Sequence, residues 1–375
     1  MRPLVNLEIA SLAERHHTGI PNVTKHLARE LLGDATVEPG FWLNRQRLPV
    51  RLVEEIVALD GAPHLWWLAG RIADGEASTI TDALSVGIYP SHKWHRRFFE
   101  QETLIVHDLT AVTMPQYHSE ATVAWENSRL LPDILTSDLV VAVSESTRQD
   151  IRDYFPQAAA IPVEVAQLAP CCGPPDQVHR VKVAPYVVVL GTLEPRKNVV
   201  AVLEMLQREP AWIDAFTFVF VGRWGWGTSI ADLIPTYGLT GAVEAGRVQF
   251  TGFLPDAERD VLVANASCVV YPSRYEGFGL PVLEALALGV PVVTGEGSSL
   301  AEAGGPYAIY VDVDSPTALA RGLNDALRDT GVRAASARRT WAAQFSWWKT
   351  YERIRDLALE TAARSKAANA CDRFR

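Results

Sequence analysis

The stretch Tyr271-Pro-Ser-Arg-Tyr-Glu-Gly-Phe-Gly-Leu-Pro-Val-Leu-Glu284, which follows the apolar run Cys268-Val-Val, decides how this chain is read. A short β-branched run ends at Tyr271, a loop carrying Gly277 and Gly279 turns the chain, and Pro281 marks the opening of a helix. Strand, glycine loop and helix form the junction at which α/β folds bind anions. Backbone N–H groups approach a ligand closely at glycines, and the helix N-terminus adds a partial positive charge. Glu276 lies before this helix and Glu284 about one turn inside it, so the two carboxylates can accept hydroxyls from different parts of one ligand.

Upstream, Tyr186 to Leu190 reads YVVVL, a β-branched strand, and an amphipathic stretch from Val199 to Gln207 follows it. Further apolar runs occur at Phe216 to Val221, Val248 to Thr251, Cys268 to Tyr271, Val290 to Thr294 and Ala308 to Val311. Most are followed by a turn and a helical segment. Near-continuous apolar strands joined by helices predict a parallel sheet covered on both faces, hence a Rossmann-like domain over residues 182–345. Between its first strand and first helix lies Gly191-Thr-Leu-Glu-Pro-Arg-Lys-Asn198, with Asn198 predicted to cap the helix. Arg196 and Lys197 are adjacent cations beside a helix N-terminus, a setting suited to the charge that builds on a leaving diphosphate.

The first half is less regular. Val5 to Ala10, Leu104 to His107 and Leu139 to Val143 read as strands, and Val23 to Leu32 as a helix behind a Gly-Ile-Pro turn. A second α/β domain over residues 1–175 is expected, with Ala169 to Arg180 as a Pro/Gly-rich linker. The stretch WWKTYERIRDLALETAARSK, from Trp347 to Lys366, is helical in pattern but has no core of its own, so residues 346–375 are expected to dock on the first domain. The last ten residues read as frayed.

Composition agrees. A chain of 375 residues fits two domains, and 48% hydrophobic against 21% charged residues excludes disordered and coiled-coil classes. With 35 Lys and Arg against 44 Asp and Glu, the net charge of −9 has the wrong sign for a nucleic-acid binder. No apolar run reaches the roughly 18 to 20 residues of a spanning helix, and the start lacks the features of a signal peptide. A cytoplasmic protein is expected, with contact at the inner face of the membrane left open. Cys171, Cys172, Cys268 and Cys371 show no C-x-x-C spacing and read as reduced, structural thiols.

The E-x7-E spacing of Glu276 and Glu284, the GTLEPRKN loop, VGRWGWG, VQFTGFLPD, SSLAE and the early GIPNVTKHLARELL together resemble family-4 retaining glycosyltransferases of the GT-B fold. The second half carries most of these motifs; the first half adds Gly19, His107-Asp108 and VSESTRQDI (Val143 to Ile151). The wording is most similar to bacterial mannosyltransferases of surface-polysaccharide assembly. The resemblance implies two Rossmann-like domains facing each other across a cleft, with the C-terminal helix crossing back to the first. The first domain would bind the acceptor, a glycan or lipid-linked saccharide, and the second a nucleotide-sugar, with GDP-mannose favoured.

Residue by residue, the resemblance implies that Arg196 and Lys197 hold the diphosphate and Glu284 the ribose. Glu276, with the backbone of Gly277, Phe278 and Gly279, would hold the sugar hydroxyls. Gly191, Thr192 and Leu280 join the donor-binding set, and Ser298 and Leu300 add backbone amides toward the phosphates. His107 would meet the sugar from the opposite domain, and Gly19 would keep the first loop close to the phosphates. Neither a metal nor a cofactor is implied, since the two cations neutralise the phosphate. Arg196, Lys197, Glu276 and His107 are thus the expected catalytic set.

Other features read differently. Asp312-Val-Asp314 has the spelling of a metal-binding D-x-D, but its position before Ser315-Pro316 reads as a helix-capping loop. His92 and His95 in SHKWHRRFF form an i, i+3 pair without a third ligand. With Lys93, Trp94, Arg96, Arg97, Phe98 and Phe99 they read as a basic, aromatic surface segment, able to meet anionic lipid headgroups. His107 is equally readable as a satisfied strand-end histidine, and Trp224 and Trp226 as packing residues. Ala301 and Gly305-Pro306 depart from the family pattern and leave local loop geometry open. Other readings of the activity are a glucosyl- or fucosyltransferase, a nucleotide-sugar 2-epimerase, or a catalytically silent GT-B protein that binds a glycan or partner. Oligomeric state is not encoded in these motifs.

Overall fold

A computed structural model describes residues 2–14, 19–59, 86–173, 184–225, 229–329 and 331–372. The chain forms two compact units. The first comprises Met1–Thr113, Glu120–Leu168 and Ser346–Arg375; the second comprises Met114–Ser119 and Ala169–Phe345. Trp226 and the linker residues 174–180 lie outside the described residues.

The second unit is a six-stranded sheet of β8 (Tyr186–Leu190), β9 (Thr217–Val221), β10 (Val248–Gly252), β11 (Cys268–Tyr271), β12 (Val292–Thr294) and β13 (Ile309–Tyr310). Its spatial order is β10-β9-β8-β11-β12-β13, with every neighbouring pair parallel. Val187 and Val189 of β8 point into the core formed with Val202 and Leu206 of the helix Val199–Arg208, Phe218 and Phe220 of β9, and Leu319 and Leu323 of the helix Pro316–Arg328. The β-branched runs become strands because both their faces are covered by helices. Strand order reverses at β8, whose neighbours are β9 and β11. In open α/β sheets, ligands bind in the crevice outside the carboxyl ends of the strands at such a point.

The first unit has a seven-stranded sheet of β1 (Leu4–Glu8), β2 (Glu38–Leu43), β3 (Gln46–Leu48), β4 (Val86–Tyr89), β5 (Gln101–Val106), β6 (Leu139–Ala142) and β7 (Val163–Val165), in the order β3-β2-β1-β4-β5-β6-β7. Only β3 is antiparallel, to β2. Four of these strands, β2, β3, β4 and β7, were not expected from the sequence. In β2 the start Glu38-Pro-Gly reads as a turn, yet Gly40 is required there, because a Cβ at that position would lie 2.1 Å from Asn6 Oδ1. That oxygen accepts the Trp42 indole N–H at 2.7 Å. In β4, a Cβ at Gly87 would lie 1.9 Å from the Phe99 ring.

Phe99 therefore corrects one expectation in part, since SHKWHRRFF lies only partly at the surface. Phe99 is buried on Gly87, and Lys93 is fully buried with its ammonium 2.7 Å from Glu102 Oε2. Arg96 pairs with Asp133 at 2.7 Å, Arg97 with Asp138 at 3.3 Å, and His92 lies between Asp133 and Glu126. His95 instead contacts Asn44, so the two histidines do not share a ligand. The cations expected to meet lipid headgroups are paired with acids of the same unit. Trp94 and the Arg97 side chain stay more than half exposed.

The terminal helix Trp347–Asp372 belongs to the first unit. Ala358 and Ala362 pack on Val86 of β4. Tyr351 Oη donates to Asp34 Oδ2 at 2.9 Å, Arg355 pairs with the same oxygen at 2.7 Å, and the His26 and Trp347 rings stack at 4.5 Å. The helix continues to Asp372, into the last ten residues, where fraying of the terminus was expected. Among the described residues, no helix is long and apolar enough to cross a membrane.

Candidate functional site

The loops after β8 and β11 leave neighbouring strands of the second unit at the point where strand order reverses. After β8 the chain turns through Gly191, at φ +127°, into Thr192 and a short 3-10 turn, Pro195–Lys197. Asn198 follows in the left-handed conformation, at φ +54°. Asn198 occupies the N-cap position of the helix Val199–Arg208, as expected, but its side chain does not cap. It donates instead to the Val313 carbonyl at 2.8 Å. After β11, the loop from Pro272 ends at Gly279, at φ +95°, which precedes the helix Leu280–Ala287.

These two loops bring three expected site residues together. Lys197 Nζ lies 2.6 Å from Glu276 Oε1, and Arg196 Nη1 lies 3.2 Å from Glu276 Oε2. Arg196 also donates to the Tyr275 carbonyl at 2.6 Å and to Glu194 Oε1 at 3.0 Å. Burial alone would raise the Glu276 pKa, but Lys197 and Arg196 outweigh it and hold the carboxyl at about 2. Burial holds the Lys197 pKa below its ordinary value, and Glu276 opposes that lowering only in part. Arg196 and Lys197, adjacent cations in the sequence, are members of one buried charge cluster with Glu276.

Of the supporting residues, Ser298 was singled out from sequence, whereas Tyr271, Ser273, Arg274 and Ser299 were not. Tyr271 Oη lies 2.8 Å from Lys197 Nζ and 2.7 Å from Glu276 Oε1, and the Ser273 hydroxyl donates to the same carboxylate oxygen. Ser298, itself at φ +57°, accepts the Glu276 N–H at 3.0 Å, while Ser299 Oγ donates to the Glu276 carbonyl at 2.8 Å. Arg274 bridges to the first loop, donating to the Pro195 carbonyl at 2.7 Å and pairing with Asp314 at 2.6 Å. Asp314 is therefore an ion-pair partner, and Ser315 is the residue that caps the following helix. Among the described residues, no group of three His, Cys, Asp or Glu side chains could hold a metal ion.

Glu284 belongs to a separate set of partners. Its Oε1 accepts the Cys171 N–H at 3.3 Å, and its Oε2 lies 3.8 Å from Arg259, which also pairs with Asp256 and Asp260. Burial raises the Glu284 pKa, and Arg259 opposes the rise. The Gly173 N–H is bound by Asp260 at 2.8 Å, so the described part of the expected linker is pinned to the second unit. Phe278 is buried edge-on against Phe345, which leaves its backbone, with Gly277, Gly279 and Leu280, to line the loop. Leu300 is fully buried and opens a short helix, Leu300–Gly304. Trp224 is about half exposed and forms a bridge with Leu193, so it packs along the first loop's backbone.

Two expected residues lie in the first unit. His107 follows β5; its Nε2 donates to the Pro90 carbonyl at 2.7 Å, and burial lowers its pKa. A carbonyl can only accept, so the neutral ring carries its proton on Nε2 and keeps Nδ1 as an acceptor. Thr147, in the VSESTRQDI motif, donates from its hydroxyl to the His107 carbonyl at 3.1 Å. Gly19, at φ +56°, precedes the helix Ile20–Gly33.

Comparison with known proteins bears on family and fold. Residues 176–342 match the family model "Glycosyl transferases group 1". Over 260 residues the chain is 30% identical to O-antigen chain mannosyltransferase B of Escherichia coli, covering 66% of this chain and 67% of that protein. Sucrose-phosphate synthase of Thermosynechococcus elongatus superposes with a TM-score of 0.62 at 17% identity, over 100% of this chain and 99% of the other. Anabaena Alr3699/HepE in complex with UDP and glucose gives 0.61 at 16% identity, over 95% and 99%. These last two are likenesses of fold alone, and the fold they share is GT-B. With its paired α/β units and ordered motifs, the chain belongs to the group 1 glycosyl transferases.

Proposed function

We propose that this glycosyltransferase moves a hexose, mannose from GDP-mannose, with retention of configuration, to a glycan or lipid-linked oligosaccharide in polysaccharide assembly. The observation that carries the donor site is the convergence of Arg196, Lys197 and Glu276 outside the carboxyl ends of β8 and β11. The likeness to an O-antigen mannosyltransferase supports the choice of sugar and of acceptor class.

In this reading Arg196 and Lys197 bind the diphosphate, assisted by the backbone of Gly191, Thr192, Ser298 and Leu300. Glu276 and the backbone from Gly277 to Leu280 bind the sugar, and Glu284 binds the ribose. His107 and Gly19, to which the family resemblance gives roles at the sugar and the phosphates, lie in the first unit. The bond from the anomeric carbon to the leaving phosphate oxygen breaks while the bond to the acceptor oxygen forms on the same face. The leaving phosphate takes the acceptor proton, so no protein nucleophile is required. The two cations stabilise the charge that grows on the diphosphate, which places the catalytic contribution in electrostatics and positioning. In this reading the transfer proceeds without a metal ion.

The test is calorimetric and thermal-shift titration of the chain with GDP, UDP, ADP and their sugar conjugates without added metal, beside an Arg196→Ala/Lys197→Ala double variant. A ligand that binds the folded state raises its melting temperature. GDP and GDP-mannose are expected to bind, and the double variant to lose them. Absence of binding by any nucleotide overturns the donor site.

A further inference from the structure

We propose that Tyr271 is a positioning residue of this site, and that Glu276 is the internal counter-charge against which a diphosphate competes for Arg196 and Lys197. The inference rests on the donor-site reading above and deepens it.

Tyr271 is the last residue of β11 and is buried. Its hydroxyl forms a triangle with the Lys197 ammonium and the Glu276 carboxylate, with sides of 2.8, 2.7 and 2.6 Å. The phenol donates to the carboxylate and accepts from the ammonium. The ring is buried, with Gly191 in its surroundings, and the Tyr271 carbonyl accepts the Thr294 hydroxyl at 2.8 Å. Burial and the neighbouring Glu276 push the phenol pKa up, so it remains a donor.

The charges of the cluster cancel. Arg196 and Lys197 face Glu276 and Glu194, two against two. Glu276 Oε1 already receives Lys197, Tyr271 and Ser273, while Oε2 receives Arg196. A diphosphate that takes the same ammonium and guanidinium donors must displace the carboxylate from them, and the carboxylate so released can turn to sugar hydroxyls. Tyr271 Oη is then the neighbour that keeps Lys197 aimed at the phosphate oxygen. One exchange thus couples diphosphate binding to sugar recognition.

The experiment compares wild type with Glu276→Gln and Tyr271→Phe, using inorganic pyrophosphate, GDP and GDP-mannose as probes, and includes melting curves and transfer kinetics. Glu276→Gln removes one negative charge beside both cations, so pyrophosphate and GDP are expected to bind on the order of tenfold more tightly while mannose transfer falls. Tyr271→Phe is expected to keep GDP affinity within about threefold and to lower kcat about tenfold with little change in KM. Unchanged or weaker pyrophosphate binding in Glu276→Gln overturns the counter-charge. For Tyr271→Phe, an unchanged kcat, a loss accounted for by a lower melting temperature, or failure to fold each makes the hydroxyl structural and overturns the positioning role. If wild type binds neither pyrophosphate nor any nucleotide, the donor-site reading falls together with this one. If wild type binds and Glu276→Gln gains nothing, only this inference falls.

Discussion

Lys197 Nζ stands 2.6 Å from Glu276 Oε1, although 79 positions of sequence separate the two residues. The pair exists because β8 and β11 are neighbours in the sheet, so that the loop following each strand opens on the same edge. A buried carboxylate tolerates this position only because cations and hydroxyls surround it. Removing either kind of partner has a cost that follows from that balance.

Lys197→Ala leaves Glu276 with Arg196 as its remaining cation in a buried site. The second unit is expected to lose roughly 2–3 kcal/mol, less than for a wholly unpaired buried charge, and the carboxyl pKa rises above its present value of about 2. Adding Glu276→Gln to Lys197→Ala removes the stranded charge and restores part of the loss. Scanning calorimetry of the single and double variants checks this; equal losses in both contradict it.

Gly222, in the VGRWGWG motif, is the least replaceable glycine near the site. A Cβ there would lie 1.9 Å from the Gly191 carbonyl oxygen, and that atom belongs to the backbone carrying the site's first loop. Gly222→Ala is expected to cost roughly 2 kcal/mol or more and to weaken nucleotide binding, because Gly191 and Thr192 must shift. Parallel melting and titration measurements show whether both effects appear.

Asp34, Tyr351 and Arg355 tie the terminal helix to the first unit. Burial would raise the Asp34 pKa, but hydrogen bonds from Thr36, Arg355 and Tyr351 outweigh it and hold the carboxyl at about 2. A carboxyl with a depressed folded pKa contributes stability above its unfolded pKa and loses it as pH falls toward the folded one. Arg355→Met should lower stability by roughly 2–3 kcal/mol at neutral pH, because Asp34 stays buried without its cation. Hydrogen exchange along Trp347–Asp372 should then rise relative to β1.

Glu8, at the end of β1, is shifted the other way. Burial raises its pKa to about 7, against hydrogen bonds from the Ala10 and Asn44 N–H groups. The folded state therefore holds a proton that the unfolded chain has released, so this group's contribution to stability falls as pH rises from about 4.5 to 7. Glu8→Gln is expected to remove that slope and to be more stable than wild type at pH 8 by on the order of 2–3 kcal/mol. Chemical denaturation at pH 5 and pH 8 measures the difference directly.

The second unit was more legible in the sequence than the first, for physical reasons. Its strands are apolar on both faces and appear as continuous runs, and five of the six begin and end within one residue of the expected limits, while β12 begins two residues later than read. In the first unit, β2 and β4 carry Gly40 and Gly87, whose meaning lies in the side chains of Asn6 and Phe99 that occupy the space beside them. Read locally, those glycines signal turns. Likewise, Lys93 and Phe99 look like surface residues until Glu102 and Gly87 are known to face them.

By itself the sequence determined the parallel α/β class, the return of the last helix to the first unit, the family, and the loops that carry Arg196, Lys197, Glu276 and Glu284. Hydrophobic periodicity and local motif spacing encode such features, because they depend on residues near one another along the chain. Only the tertiary structure decided that Lys197 and Arg196 neutralise Glu276, that Glu284 belongs with Arg259 and Cys171, and that Tyr271 stands between cation and carboxylate. Those relationships depend on which strands lie side by side and on how deeply each charge is buried, and no local pattern in the chain records either.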